Sequence, residues 1–192
     1  MTKLYSNPWK SGIGFGSKVK YAVRNKFYRW LLRKYCKGCN TVLDVACGPG
    51  QFMKAANELG FEAYGVEWDG RYKAKNVFIK DLWKFDGKFD VVFNSFILEH
   101  MEDHQKFVNK MASLSNNIVI TVAAYLSKSF YNAPDHTKPT TKIGVRWMFR
   151  RAGFRTLLSI HVPFYHAVVV VSKKVTPKDK DRESILIRKG FW

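Results

Sequence analysis

Apolar and polar positions along this chain alternate between two periods. Residues 40–46, 62–67, 77–80 and 89–94 are short apolar runs that end in polar or acidic residues, and each reads as a strand of a buried sheet. Segments with helical spacing lie among and after them: Gln51–Leu59, Asp103–Leu114 and Ile143–Ala152, the last stopped by Gly153. A fifth strand is expected at Asn117–Ala123. Phe154–Ile160 and Ala167–Ser172 read as a closing hairpin, antiparallel in part. Strands that alternate with helices predict an α/β fold with a doubly wound, mainly parallel sheet of seven strands. Only Asp69–Asn76 separates the second and third strands, too little for a crossover helix. A long polar insert, Ser127–Lys142, follows the fifth strand.

Upstream of the first strand, Val19, Val23, Phe27, Leu31 and Tyr35 recur at every fourth residue, with Ala22 and Trp30 beside them. Lys20, Arg24, Lys26, Arg33 and Lys34 occupy the rest of the surface. The spacing predicts an amphipathic helix over Lys18–Tyr35. Its apolar stripe is expected to pack on the sheet edge and cover the site there, while its cations can meet a membrane or a phosphate backbone. The chain thus divides into a basic loop and helix at 1–39, an α/β core at 40–172 and a basic tail at 173–192, without internal repeats.

Charge sharpens this division. The formal net charge is +18, and the residues before Asp44 include ten Lys or Arg and no acid. Such an excess points to an anionic partner: nucleic acid, an anionic membrane, or an acceptor that carries phosphate or carboxylate. At 46% hydrophobic and 16% aromatic, the chain has the apolar content for a packed core and is not a disordered one. No apolar run reaches the length of a membrane span, and no signal-like apolar segment opens the chain. A cytoplasmic protein is expected, peripheral to a membrane at most. Cys36 and Cys39 form a lone C-x-x-C without a second pair at zinc spacing, so they and Cys47 are expected to be reduced thiols with no metal.

The chemistry concentrates in Thr41–Gly50, where an apolar strand ends in Asp44 and Ala46 and runs into a Gly48-Pro49-Gly50 turn before a helix. Glycines there let the backbone approach a ligand, and Pro49 suits the start of a helix. The third glycine of a dinucleotide loop is Met53 here, and the P-loop lysine is missing, which argues against NAD and ATP. Glu67 ends the second strand about 20 residues beyond Asp44, the separation at which an acid meets ribose hydroxyls in doubly wound folds. Trp68 follows it and can pack on an adenine face. Asp81 and Leu82 end the third strand, and Asn94 begins the stretch Asn94-Ser95-Phe96-Ile97-Leu98-Glu99-His100 after the fourth.

In this order the segments resemble the motifs of class I S-adenosylmethionine-dependent methyltransferases. Leu98-Glu99-His100 and the Ala152-Gly153-Phe154 ending are similar to the small type 11/12 branch. The resemblance spans roughly residues 40–172, with Ala46 where the family has its first glycine. It implies S-adenosylmethionine as cofactor, held by Asp44, Ala46, Gly48, Gly50, Glu67, Trp68, Asp81, Leu82 and Asn94. In the family, the acid at the Asp81 position accepts from the adenine amine, and the next backbone N–H meets the ring. The family also lets the connection between the second and third strands shrink, and the insert around Asp135-His136 resembles its substrate loop.

Histidine titrates near neutrality, so His100 and His136 are the candidate bases. Tyr5, Trp9, Asn94, Tyr131 and Asp135 are candidates to orient an acceptor. The (D/N)-P-P-(Y/F) motif of base-amine methylation, the aspartate of ribose 2′-O-methylation at the Asn94 position and the Pro-Cys of cytosine methylation are all missing. The expected acceptor is therefore small, lipid-linked or saccharide, and anionic, with an O or N nucleophile. An RNA or DNA methyltransferase of unfamiliar pattern, or a degenerate fold serving as a basic binding module, are the alternatives.

Overall fold

The computed structural model describes residues 15–125, 136, 140–162 and 166–177. Seven strands form one sheet: β1 Thr41–Val45, β2 Glu62–Glu67, β3 Val77–Ile79, β4 Phe89–Ser95, β5 Ser115–Ala124, β6 Phe154–Val162 and β7 Ala167–Lys174. Their order is β3-β2-β1-β4-β5-β7-β6. The first five are parallel, and β7 lies antiparallel between β5 and β6. The order reverses direction between β1 and β4, so a crevice opens at the carboxyl ends of these two strands, the place where doubly wound sheets bind ligands.

Among the described residues, four α-helices cover the sheet: α1 Phe15–Tyr35, α2 Gln51–Asn57, α3 His104–Leu114 and α4 Lys142–Arg151. On one face Tyr28, Leu31 and Leu32 of α1 and Phe52 of α2 bury against Val91 and Phe93. On the other, Phe107 and Met111 of α3 and Phe149 of α4 bury against Leu43, Val92 and Val168. Phe52 and Phe93 stack with ring centroids 3.6 Å apart, and Tyr28 meets both edge-on. Helices α3 and α4 start at side-chain caps. The Asp103 carboxylate accepts from the Lys106 N–H at 2.8 Å, and the Thr141 hydroxyl accepts from the Gly144 N–H at 3.0 Å. As expected, no helix forms between β2 and β3.

Two sequence expectations change. The buried positions of α1 are Tyr28, Leu31, Leu32 and the adjoining Cys36, with Phe27 and Tyr35 of the expected stripe packed against them, whereas Val19, Val23 and Trp30 are exposed. A strict every-fourth-residue repeat advances about 400° per step on a helix of 3.6 residues per turn, so it drifts about 40° each time and leaves the sheet. Pro49 lies one residue before the N-cap of α2 instead of inside the helix. The cap itself is Gly50, in the left-handed region at φ 73°.

At the amino end of the sheet, Asp90 ties β4 to β1. Its Oδ2 accepts from the Asn40 N–H at 2.8 Å, the Thr41 N–H at 3.0 Å and the Thr41 hydroxyl at 3.3 Å. These backbone N–H bonds hold the Asp90 carboxyl below its ordinary value. The three cysteines are free and buried, and burial raises all three thiols, Cys47 to about 12.

Candidate cofactor and acceptor site

The loop after β1 turns through three left-handed residues, Ala46 at φ 57°, Gly48 at 49° and Gly50 at 73°. The Ala46 and Cys47 N–H groups donate to the Val66 carbonyl at 2.9 and 3.3 Å, which pins the loop to the end of β2. That contact needs Gly65. A Cβ at Gly65 would stand 2.6 Å from Cys47 Sγ and 2.7 Å from Met53 Sδ. At Gly48 the reverse holds, because a Cβ there would meet no atom within 4 Å. Open space therefore lies over Gly48, and the loop presents backbone to it.

Glu67 closes this loop from the side. Its Oε2 accepts from the Gly48 N–H at 2.9 Å and its Oε1 from the Trp68 N–H at 3.0 Å, with only 6% of the residue exposed. A third, longer bond comes from the Asp69 N–H to Oε1 at 3.5 Å, and of the roughly four acceptor sites of a carboxylate, one on Oε2 stays free to accept a hydroxyl proton. Asp44 is buried beneath the loop. Burial first, and the charge of Glu67 second, hold its carboxyl well above the usual range. Across the crevice, exposed Asp81 accepts from the Trp83 N–H at 2.9 Å and starts a short 3-10 turn over Leu82–Lys84. Trp68 is 62% exposed beside it. Asn94, fully buried between β1 and β5, donates from Nδ2 to the Thr121 hydroxyl at 3.0 Å, and its Oδ1 has no hydrogen-bond partner.

A second group lies past β4. Phe96, at φ 55°, turns the chain into a short 3-10 turn, Leu98–His100, and donates its N–H to the Val122 carbonyl at 2.8 Å. A bulky residue in that region is strained, and such strain gathers at functional sites. The turn sets His100 against His136, ring centroids 4.9 Å apart and tilted 67°, although 35 residues separate them in sequence. Buried Glu99 accepts from the Ala124 N–H at 3.2 Å and joins the pair. Beside these residues, Arg24, Phe27 and Tyr28 of α1 enclose a small recess with Phe96, Val122 and Val169. The Tyr28 hydroxyl lies 3.3 Å from the Ser95 hydroxyl, and burial pushes its pKa up to about 12.

The loop, Glu67, Asp81, Leu82 and Asn94 thus gather at the carboxyl edge of β1–β4, and His100 and His136 meet at the next strand over. Sequence reasoning gave no role to Glu99, Gly65, Phe96 or Tyr28. Glu99 stood in the Leu-Glu-His signature, but its contact with Ala124 depends on the sheet register. Gly65 carried no signal, because only the fold brings Cys47 and Met53 against it. Tyr5, Trp9, Tyr131 and Asp135 lie outside the described residues.

A parallel five-strand stretch with an antiparallel β7, a glycine loop after β1 and an acid at the end of β2 define the class I methyltransferase fold. Solved structures agree. Magnesium protoporphyrin IX methyltransferase from Synechocystis PCC 6803, crystallised with S-adenosylhomocysteine, is similar with a TM-score of 0.67 at 17% identity, over 85% of this chain and 88% of that one. A SAM-dependent methyltransferase from Archaeoglobus fulgidus gives 0.62 at 19% identity over 84% and 100%. The 1,6-didemethyltoxoflavin-N1-methyltransferase of Burkholderia thailandensis gives 0.64 at 16% over 79% and 78%. A family model described as a methyltransferase domain matches residues 15–159. The chain belongs to this family of methyltransferases. No curated protein matches it in sequence.

Proposed function

We propose that the enzyme transfers a methyl group to an O or N nucleophile of a small acceptor, lipid-linked or saccharide, that carries negative charge. The observation that carries the cofactor side is the Gly48 N–H bond to buried Glu67 under open space. It leaves a carboxylate and a bare backbone facing one crevice. In this reading Glu67 holds the ribose hydroxyls. Asp81 and the Leu82 N–H meet the adenine, Trp68 covers it, and Asp44, Ala46, Gly48, Gly50 and Asn94 line the methionine side. The cofactor supplies a methyl already activated on a sulfonium. The chain's task is then alignment, and holding two reactants in line is worth roughly 7–11 kcal/mol. Where the acceptor must lose a proton, His100 and His136 stand as proton acceptors at the neighbouring strand end.

The acceptor's charge is supported by Arg24. Its Nε is buried without a hydrogen-bond partner, in a recess walled by Phe27, Phe96, Val122 and Val169 and by Tyr28, whose hydroxyl the same guanidinium meets. A cation among apolar groups favours an acceptor with an apolar body and an anionic group. The outer face of α1 supports an anionic carrier. Val19, Val23, Lys26, Trp30, Arg33, Lys34 and Lys37 follow one another along one side of this segment, with Val19, Val23 and Trp30 exposed. Apolar side chains beside cations favour an anionic lipid surface over a phosphate backbone. No helix among the described residues is long and apolar enough to cross a membrane.

The test is transfer of labelled methyl from S-adenosylmethionine into fractionated cell extract. Label in the small-molecule or lipid fraction supports this reading, and label confined to RNA or DNA overturns it. Flotation on anionic vesicles tests the carrier. The triple variant Lys26→Glu, Arg33→Glu and Lys37→Glu should lose vesicle binding and keep its affinity for S-adenosylhomocysteine. Salt-dependent binding to RNA without vesicle binding would assign the face to nucleic acid instead.

A further inference from the structure

We propose that Glu99, His100 and His136 form a binding site for a first-row divalent metal ion, open toward the acceptor. One carboxylate oxygen and one nitrogen from each imidazole all lie within 4.8 Å of one another, and this is the one such group of three among the described residues. The two imidazoles come from separate segments and meet at 4.9 Å between ring centroids, close enough for both to bind one ion after small rotations. The carboxylate is fixed before any ion arrives. Glu99 is 1% exposed, and its Oε1 accepts the Ala124 N–H at 3.2 Å, the kind of outer support that orients metal-binding carboxylates. Both histidines are half-buried, so the site is reached from the crevice and not sealed in the core.

The donor set decides what would bind. Two nitrogens and one oxygen suit zinc, cobalt or manganese better than magnesium, which prefers all-oxygen cages. Three protein donors are one fewer than a closed tetrahedral structural site uses, and an open position is the mark of sites that take a substrate atom. Its place past the end of β4, beside strained Phe96, puts that position on the acceptor side of the crevice. The substrate side of the inference rests on the methyl-transfer reading. It narrows the acceptor to one that offers an oxygen donor, such as a hydroxyl or carboxylate group. For a hydroxyl acceptor, the proton leaves to water and the oxygen bonds the methyl carbon. The carbon–sulfur bond then breaks, with its electron pair kept by sulfur. With the ion bound, both imidazoles serve as ligands, and the metal replaces them in favouring loss of the proton.

The experiment uses the full chain, stripped with a chelator and dialysed. Zinc chloride is titrated by calorimetry, and cobalt chloride is followed by its visible absorption. The expected result is one equivalent bound, weakened at least tenfold in His136→Ala, with S-adenosylhomocysteine affinity unchanged within twofold. His100→Ala serves as the second variant if the first melts abnormally. Cys36→Ser with Cys39→Ser should leave the binding intact. Acetohydroxamate, a small bidentate oxygen ligand, should shift the cobalt bands by filling open positions. No binding, binding lost only with the cysteines, or cobalt bands indifferent to acetohydroxamate would each overturn the proposal. Failure of metal binding in a chain that still binds S-adenosylhomocysteine sinks the metal site alone. Failure of both sinks the methyl-transfer reading with it.

Discussion

The edge of the crevice proposed for the cofactor and the edge proposed for the acceptor are built in opposite ways. The first is local: from Thr41 to Glu67, one strand, one turn, one helix and one more strand supply the loop, its acid and the contacts that bind them. The second is assembled from distant parts, with Arg24 and Tyr28 from α1, Phe96 to His100 past β4, Ala124 from β5 and His136 beyond it. The first edge is pinned by hydrogen bonds among neighbouring segments, and the second by contacts that reach across the fold. Substitutions should therefore separate the two: cofactor affinity should respond to the first edge, and acceptor or metal binding to the second.

The largest separation is expected from Glu67→Ala. It removes the acceptor of the Gly48 and Trp68 N–H groups along with the group proposed for the ribose. Affinity for S-adenosylhomocysteine should fall by about 1.5–3 kcal/mol, the scale of hydrogen bonds to a charged group. Zinc affinity should stay within twofold by the same calorimetry. An equal loss of both would mean that the two edges form one cooperative unit. Gly65→Ala tests the pinning itself. The added methyl collides with Cys47 and Met53, so thermal or urea unfolding should report a loss of about 1–3 kcal/mol. An unaltered melt would show that the loop can withdraw from β2 at no cost.

Asp90→Asn probes the sheet at the end remote from both edges. It should cost about 1 kcal/mol at pH 7 and leave both kinds of binding unchanged. Because the folded carboxyl titrates below its ordinary value, the unfolded chain binds the proton first as pH falls. The stability from this group is present above about pH 4 and is lost as pH falls through the folded pKa. Wild type and variant should accordingly differ in pH 7 melts and converge in strong acid. A difference that persisted in acid would assign the effect to shape and not to charge. The smallest effect is expected from Ala46→Gly. Ala46 sits at φ 57°, where an alanine costs roughly 1–2 kcal/mol, and glycine loses part of that gain through its freer unfolded chain. A gain of about 0.5–1 kcal/mol in unfolding free energy is expected. A loss would mean that the Ala46 side chain makes a contact worth more than the strain.

The same contrast explains what the sequence disclosed. Apolar runs located all seven strands within about two residues, because a buried strand needs only a short run and a polar stop. The Thr41–Gly50 loop was legible because its glycines, its acid and their spacing lie within one stretch. Gly65 was silent, since its need for no side chain arises from Cys47 and Met53 folding onto it. The stripe on α1 was legible in its second half, where Phe27, Leu31 and Tyr35 pack on the core, but every-fourth-residue spacing drifts around a helix and Val19 and Val23 fall outside the buried arc. His100 and His136 were each legible as single residues. Their meeting, and Glu99 as the third member, depended on the path of the chain after β4.

Calorimetric titration of the wild-type chain with S-adenosylhomocysteine, with NAD and ATP as comparison ligands, tests the central claim most directly. One equivalent of S-adenosylhomocysteine should bind with measurable heat, and neither NAD nor ATP should bind or compete. Silence toward S-adenosylhomocysteine, or its displacement by NAD, would contradict the assignment of the Gly48–Glu67 crevice to the methyl donor.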